Sequence, residues 1–198
     1  MNSGRLEAFS DGVIAILITI MILDLKIPPE AASGFPSDWA ALRSVLPTAL
    51  TYVLSFVFLG IYWNNHHHML HVTDRINGKI LWANLHLLFW LSLVPFTTSW
   101  MGERHFAPVP TALYGVVLLF AALAYTILQT AIIAAQRPHS KLAAAIHGDI
   151  KGKLSLLGYV AAIPLAFVVP WLAGAIYVTT ALIWLVPDPR IEAVLAQD

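Results

Sequence analysis

Four histidines lie close together near the middle of the chain: His66, His67, His68 and His71. Imidazole side chains bind divalent metals and exchange protons near neutral pH. His67 and His71 are four residues apart, so both rings would lie on one side of a helix. No acidic residue completes a His-Glu-x-x-His zinc motif, and a histidine pair alone is a weak metal signature. We therefore predict no metal and no cofactor, with His67 and His71 as the only weak candidate pair.

A second polar group precedes the first apolar stretch, where Arg5, Ser10 and Asp11 lead into residues 12–23. Ionisable groups at the edge of a membrane helix are costly unless they are paired. We therefore expect a buried polar network that joins the first three helices. Its expected members are Arg5, Ser10, Asp11, Asn64, His67, Asn84 and His86.

The elements that must position these residues are long apolar helices. Hydrophobic residues make up 59% of the 198-residue chain and charged residues only 11%, whereas soluble domains carry about 25% charged residues. Apolar segments near 20 residues long are typical of membrane spans. The predicted spans are residues 4–27, 42–71, 78–101, 110–136, 152–169 and 171–187. The sequence thus predicts an all-α integral membrane protein with a single six-helix domain over residues 1–198, a kink at Pro95 and a tight hairpin at Pro170.

The charge distribution predicts the orientation of these helices. Eight of the 11 Lys and Arg residues fall in the N-terminus, the second and fourth loops and the C-terminal tail. The opposite side holds Lys26, Arg43 and Arg104. Because cytoplasmic loops are enriched in Lys and Arg, we expect both termini in the cytoplasm. The net charge of +0, without a basic stripe, argues against nucleic acid as a partner.

The first helix carries an apolar stripe. At 100° per residue, Gly12, Ile16, Thr19, Ile20 and Leu23 fall within about 80° of one another. Periodicity alone leaves two interpretations open, since most such stripes are ordinary helix packing and some line a pore.

Several short motifs along the chain point to a known family. The matching residues are Arg5, Phe9, Ser10 and Asp11 in an Arg-x-x-x-Phe-Ser-Asp motif, then Leu25, Lys26 and Pro28, then Trp63 with the histidines after it, Asn84, Pro95 and Phe96. In these residues the sequence resembles the prokaryotic branch of the transmembrane protein 175 family of potassium channels, over nearly the whole chain. The chain is unusually rich in histidine after Trp63, and we take His67 as the equivalent of the family's histidine.

The resemblance implies a multi-pass protein of the bacterial inner membrane that forms a homotetramer and is not an enzyme. The first helix of each subunit would line a central pore that conducts K⁺ in preference to Na⁺. By position after the motif, the family's hydrophobic constriction falls on Ile16, with further apolar rings at Ile20 and Leu23. A threonine ring implicated in selectivity falls on Thr19. The polar motif, His67 and Asn84 would form the supporting network.

Two alternatives to a channel stay open. The first is a metal- or proton-coupled transporter, or an intramembrane enzyme, that uses the His66–His71 cluster. A transporter of this kind is expected to have broken helices in paired halves around a charge at the membrane midplane, and an enzyme needs a carboxylate near the histidines. We find neither pattern in the sequence. The second alternative is a non-conducting assembly subunit.

Overall fold

A computed structural model of the chain describes residues 3–26, 38–71, 73, 76–136 and 150–185. These residues contain seven α-helices and no β-strand. The helices are α1 (Ser3–Ile20), α2 (Asp38–His71), α3 (Gly78–Ser92), α4 (Val94–Glu103), α5 (Pro108–Gln136), α6 (Ile150–Val168) and α7 (Pro170–Leu185). A single 3₁₀ turn, Met21–Asp24, continues α1. The fold is therefore all-helical, as the sequence predicts.

Five segments are long and apolar enough to cross a membrane: Ser3–Asp24, Asp38–His71, Gly78–Glu103, Pro108–Gln136 and Ile150–Val168. The sixth, α7, is apolar but has 16 residues, about 24 Å of helix at 1.5 Å per residue. Its predicted end at residue 187 lies outside the described residues. So do four of the eight Lys and Arg residues assigned to the side of the termini, which are Arg75, Arg137, Lys141 and Arg190. Large apolar side chains such as Leu157, Val168 and Trp171 are more than half exposed. A soluble monomer rarely exposes so many apolar groups, so the chain is a multi-pass membrane protein.

The third segment is broken where the sequence contains proline. Helical geometry is interrupted at Leu93, between α3 and α4, two residues before Pro95. Proline lacks a backbone N–H and its ring crowds the carbonyl four residues earlier, which is that of Leu91. The N–H of Leu93 turns back to the carbonyl of Trp90 at 3.2 Å instead. The kink expected from Pro95 is therefore present, and it lets α4 pack closely on α2.

Local signals also set other helix ends. The side chain of Asn77 accepts a hydrogen bond from the N–H of Ile80 at 3.0 Å, which caps the start of α3. Helices α6 and α7 are separated by Val169 alone, the tight hairpin expected at Pro170. Helix α2 already includes Asp38, four residues before its predicted start.

Two hydrophobic cores hold the helices together. The first core joins α1 to α2, α3 and α5, with Ile14 and Leu17 of α1 among its buried members. The second core joins α2, α4, α5, α6 and α7 around the buried rings of Tyr114, Tyr159 and Tyr177. Helix α5 contributes to both cores, so α1 is anchored to a scaffold that α6 and α7 support from the other side.

A close approach of α4 to α2 generates a stability prediction. A Cβ atom added at Gly102 of α4 would lie 2.6 Å from the backbone Cα of Thr48 and 2.6 Å from the Oγ1 of Thr51. Because α2 must move to make room, we expect Gly102→Ala to destabilise the protein by about 1–3 kcal/mol. The matched control is Gly174→Ala, whose added carbon meets no atom within 4 Å. Thermal unfolding of the detergent-solubilised variants checks this, and equal transition temperatures would contradict the close approach.

Candidate functional site

Helix α1 has one buried side and one exposed side. Its buried residues follow helical spacing and are Leu6, Ser10, Ile14 and Leu17, with Met21 in the turn that follows. The four residues predicted to line a pore all lie on the other side. Ile16 is 62% exposed, Ile20 47% and Leu23 65%, and Thr19 is exposed as well. Within its own subunit, the helix therefore leaves an apolar stripe with one hydroxyl group uncovered.

The hydroxyl group of Thr19 is oriented by its own helix. Its Oγ1 donates to the carbonyl of Ala15 at 2.9 Å, and the carbonyl of Ile16 lies at 3.1 Å. A hydroxyl has one proton and two acceptor lone pairs. Since the proton is directed to the backbone, the outward side of the oxygen is an acceptor. An acceptor oxygen on an otherwise apolar stripe is suited to a cation and not to an anion.

A buried hydrogen-bond chain fixes the inward side of α1. The Nδ2 of Asn84 donates to the Oγ of Ser10 at 2.9 Å, and the Oδ1 of Asn84 lies 2.7 Å from the Nε2 of His66. The Oγ of Ser10 in turn donates to the carbonyl of Leu6 at 2.9 Å. The side chains of Ser10, Asn84 and His66 are fully buried. This chain links α1, α3 and α2 at one point. There each of the three side chains has a hydrogen-bond partner inside the protein, which lipid cannot provide.

Two polar contacts join α1 to α2 beside the buried chain. The Nε1 of Trp63 donates to the Oδ1 of Asp11 at 3.0 Å. One turn away, the Nδ1 of His67 lies 2.7 Å from the Oε1 of Glu7, a close contact without the alignment of a hydrogen bond. Glu7 and Asp11 are four residues apart, as are Trp63 and His67, so each helix presents a pair of side chains to the other.

The structure brings together only part of the network expected from the sequence. Ser10 and Asn84 meet as expected, but the imidazole on Asn84 belongs to His66, while His67 faces Glu7. The side chain of His86 accepts from Trp90 of its own helix. The remaining expected members are exposed: Arg5, Phe9 and Asn64.

The inward position of His66 could have been predicted from the spacing of buried residues along α2. The buried positions of α2 include Ser55, Leu59, His66 and Leu70, which repeat at four or seven residues. Extending this inward face selects His66 and excludes His67. The contributions of Glu7 and Trp63 were missed, and the signal that could have found them is the pair of four-residue spacings on α1 and α2.

Taken together, the fold and site define a multi-pass helical membrane protein whose first helix is anchored on one face and exposes an apolar stripe on the other. The family model described as the endosomal/lysosomal potassium channel TMEM175 matches residues 5–95, a range that includes every predicted site residue. A potassium channel of Chryseobacterium sp. (strain P1-3) is 52% identical over 198 residues and is covered completely, as is this chain. A potassium channel of Streptomyces collinus is 36% identical, with 97% of each chain covered. This chain belongs to the TMEM175 family, whose members are ion channels and not enzymes.

A solved structure supports the same placement. The crystal structure of a lysosomal potassium-selective channel TMEM175 homolog from Chamaesiphon minutus matches with a TM-score of 0.82 and 26% identity, covering 92% of this chain and 96% of that one. Human TMEM175, named an endosomal/lysosomal proton channel, is 36% identical over 96 residues, which is 45% of this chain and 19% of the human one.

The buried hydrogen-bond chain yields a second stability prediction. Asn84→Ala removes both hydrogen bonds of the amide and leaves Ser10 and His66 without that partner, so we expect a loss of about 1–3 kcal/mol. Asn64→Ala on the exposed side of α2 is the control, with an expected change within about 0.5 kcal/mol. The measurement is thermal unfolding in detergent. If the two variants unfold alike, the amide does not anchor α1.

Proposed function

We propose that this chain forms a potassium-selective channel, in which four copies assemble around a central pore lined by α1. The observation that carries the proposal is the uncovered stripe of Ile16, Thr19, Ile20 and Leu23 on a helix whose opposite side is anchored. The names of the bacterial relatives, which cover all or nearly all of the chain, support K⁺ as the permeant ion. The proposed assembly contains no other protein and no cofactor.

In the proposal, tetramer formation turns the exposed stripe of each α1 into the wall of an ion pore. One copy of α1 cannot enclose a path for an ion, whereas a symmetric ring of copies places the same side chain at the same depth. Four Ile16 side chains would form the narrowest ring, followed along the axis by rings of Thr19, Ile20 and Leu23. The polar contacts to α2 and α3 would then hold each α1 at the correct distance from the axis.

Gating of the proposed pore requires only a change in its width. Narrow rings of isoleucine and leucine exclude water, so the closed state is a dewetted constriction. A small outward movement or rotation of α1 would widen the ring enough for water and ions to enter. The polar contacts of α1 with α2 and α3 described above lie near its start, and Leu17 and Met21 hold its far end by apolar packing, which is not directional.

Selectivity in this proposal depends on the threonine ring. No carbonyl-lined filter loop is needed, because each Thr19 directs its proton to its own backbone and an acceptor oxygen to the pore. A partly dehydrated cation at this depth would exchange some water for hydroxyl oxygens. K⁺ sheds its hydration shell more readily than Na⁺, so a dry ring beside a limited number of oxygens favours K⁺.

The orientation and location follow from the positive charges. With eight of the 11 Lys and Arg residues on the side of the termini, we propose that both termini are cytoplasmic and that the protein lies in the inner membrane of a bacterium. The transporter alternative is less favoured by the contact of His66, because its Nε2 is bonded to the buried Asn84, as in a structural group.

A polar substitution at Ile16, which lets water into the constriction, tests the proposed hydrophobic gate. In liposomes loaded with K⁺, we expect Ile16→Asn to increase K⁺ leak, by roughly tenfold for each 1.4 kcal/mol taken from the barrier. The matched control is Ile22→Asn, an equally polar change on an exposed residue about a third of a turn around the helix from Ile16. Fluorescent K⁺-flux assays on both variants and the wild type give the comparison. The proposed channel function is contradicted if neither the wild type nor Ile16→Asn conducts K⁺ although the oligomer is intact.

The selectivity of the threonine ring has its own test. Thr19→Val keeps the shape of the side chain and removes its oxygen, so the K⁺/Na⁺ permeability ratio is expected to fall several-fold towards unity. Thr126→Val is the control, since Thr126 is exposed on α5 and donates to its own helix at 2.9 Å in the same way. Reversal potentials under bi-ionic conditions provide the measurement, and an unchanged ratio in Thr19→Val would remove Thr19 from the selectivity mechanism.

A further inference from the structure

Three potential metal ligands meet where α1 crosses α2. Glu7 and Asp11 of α1 and His67 of α2 each offer one ligand atom, and these atoms lie within 4.8 Å of one another. All three residues are partly buried. The hydrogen-bond chain through Asn84 does not use any of them, and neither does the proposed pore stripe, so the cluster needs an explanation of its own.

The chemistry of this donor set favours a divalent transition metal. Imidazole together with carboxylate oxygens is a ligand combination for Zn²⁺ and its neighbours, whereas Mg²⁺ prefers oxygen ligands alone. Zinc bonds of about 2.0–2.1 Å in a tetrahedron separate the ligand atoms by roughly 3.3 Å. A shift of roughly one ångström or a little more in these side chains would therefore close the cluster around an ion. Two carboxylates four residues apart on one helix repel each other, and a cation between them removes that cost.

The ligands are already oriented by their neighbours. Trp63 donates to one oxygen of Asp11, the kind of outer hydrogen bond that fixes a metal-binding carboxylate. The ring of His67 stacks on Trp63 with centroids 6.0 Å apart and on His71 with centroids 6.2 Å apart. Its Nδ1 is shielded from solvent, has no hydrogen bond among the described residues, and lies 2.7 Å from Glu7. The imidazole is thus held with one nitrogen directed into the cluster.

The same stacking disfavours the histidine pair suggested by spacing alone. The rings of His67 and His71 are inclined by only 22°. An imidazole lone pair lies in the ring plane, so two stacked and nearly parallel rings direct their lone pairs along separate planes. For both rings to bind one ion, at least one of them would have to turn from this orientation. The carboxylates of α1 are the better partners for His67.

We propose that Glu7, Asp11 and His67 form a binding site for a divalent transition metal ion of the zinc type, which ties α1 to α2. The bound ion restrains the pore helix and lowers K⁺ flux; this second clause rests on the proposed channel function, whereas the binding site does not.

Metal binding is tested on the purified full-length protein, with Zn²⁺ titrated against a chromophoric chelator. We expect one ion per chain, not displaced by Mg²⁺ at equal concentration, and a rise in the unfolding temperature with Zn²⁺. Glu7→Gln and His67→Ala are each expected to weaken binding about tenfold or more and to abolish that rise. His71→Ala, the same change one turn further along α2, is the control and should stay within about threefold of the wild type.

Glu7→Gln decides the outcome, because it is nearly isosteric and leaves the Trp63–Asp11 contact in place. Wild-type Zn²⁺ affinity in Glu7→Gln overturns the site, as does a loss confined to His67→Ala and His71→Ala, which would assign the ion to the histidine pair. Displacement by Mg²⁺ also overturns it, since a simple acidic patch would behave that way.

The restraint on α1 is tested separately by K⁺ flux in liposomes with Zn²⁺ on both sides of the membrane. We expect Zn²⁺ to slow flux through the wild type, a chelator to restore it, and Glu7→Gln to be insensitive. A wild type that binds Zn²⁺ and conducts at an unchanged rate overturns the restraint. A wild type that binds Zn²⁺ but never conducts K⁺ contradicts the channel function and leaves the binding site supported.

Discussion

The amide of Asn84 is the interaction on which the rest of the arrangement depends. Ser10 gives its only proton to the carbonyl of Leu6, so its oxygen can only accept from Asn84. The amide nitrogen must then face Ser10 and the amide oxygen must face His66, whose Nε2 supplies the proton. The hydrogen bonds therefore run in one direction, from α2 through α3 to α1. This pairing gives Ser10 and both ends of the Asn84 amide a partner, while the Nδ1 of His66 has no hydrogen-bond partner among the described residues.

This directional chain explains how one helix can be anchored and exposed at once. Hydrophobic packing of Ile14 and Leu17 holds α1 against the subunit without fixing its rotation, because apolar contacts are not directional. The bond from Asn84 to Ser10 fixes the rotation and thereby determines that Ile16, Thr19 and Leu23 point away. Membrane proteins have little hydrophobic driving force between helices, so directional polar contacts and close packing determine how the helices are oriented.

Sequence reasoning predicted the features that depend on local physics. Hydropathy predicted the helices, and Pro95 predicted the break in the third segment. The helical period of 3.6 residues placed Ile16 and Ile14 on different sides of α1. The sequence analysis assigned His67 to the network, whereas His66 is bonded to Asn84. The two residues differ by 100° around α2, and only the inward spacing of that helix distinguishes them. The contact of Glu7 with His67 depends on how two helices cross, which no single-helix pattern contains. The helical residues from Asp38 to the predicted start of α2 were missed because polar residues can extend a helix beyond its apolar part.

The central claim is that four copies of α1 surround the conduction path with Ile16 at its narrowest point. A cryo-electron microscopy structure of the assembled protein in lipid nanodiscs tests this most directly. We predict a fourfold axis lined by α1, with the Ile16 side chains nearest to it and Thr19 one turn further along. An Ile16 side chain that faces lipid, or an assembly whose axis is lined by another helix, would contradict it.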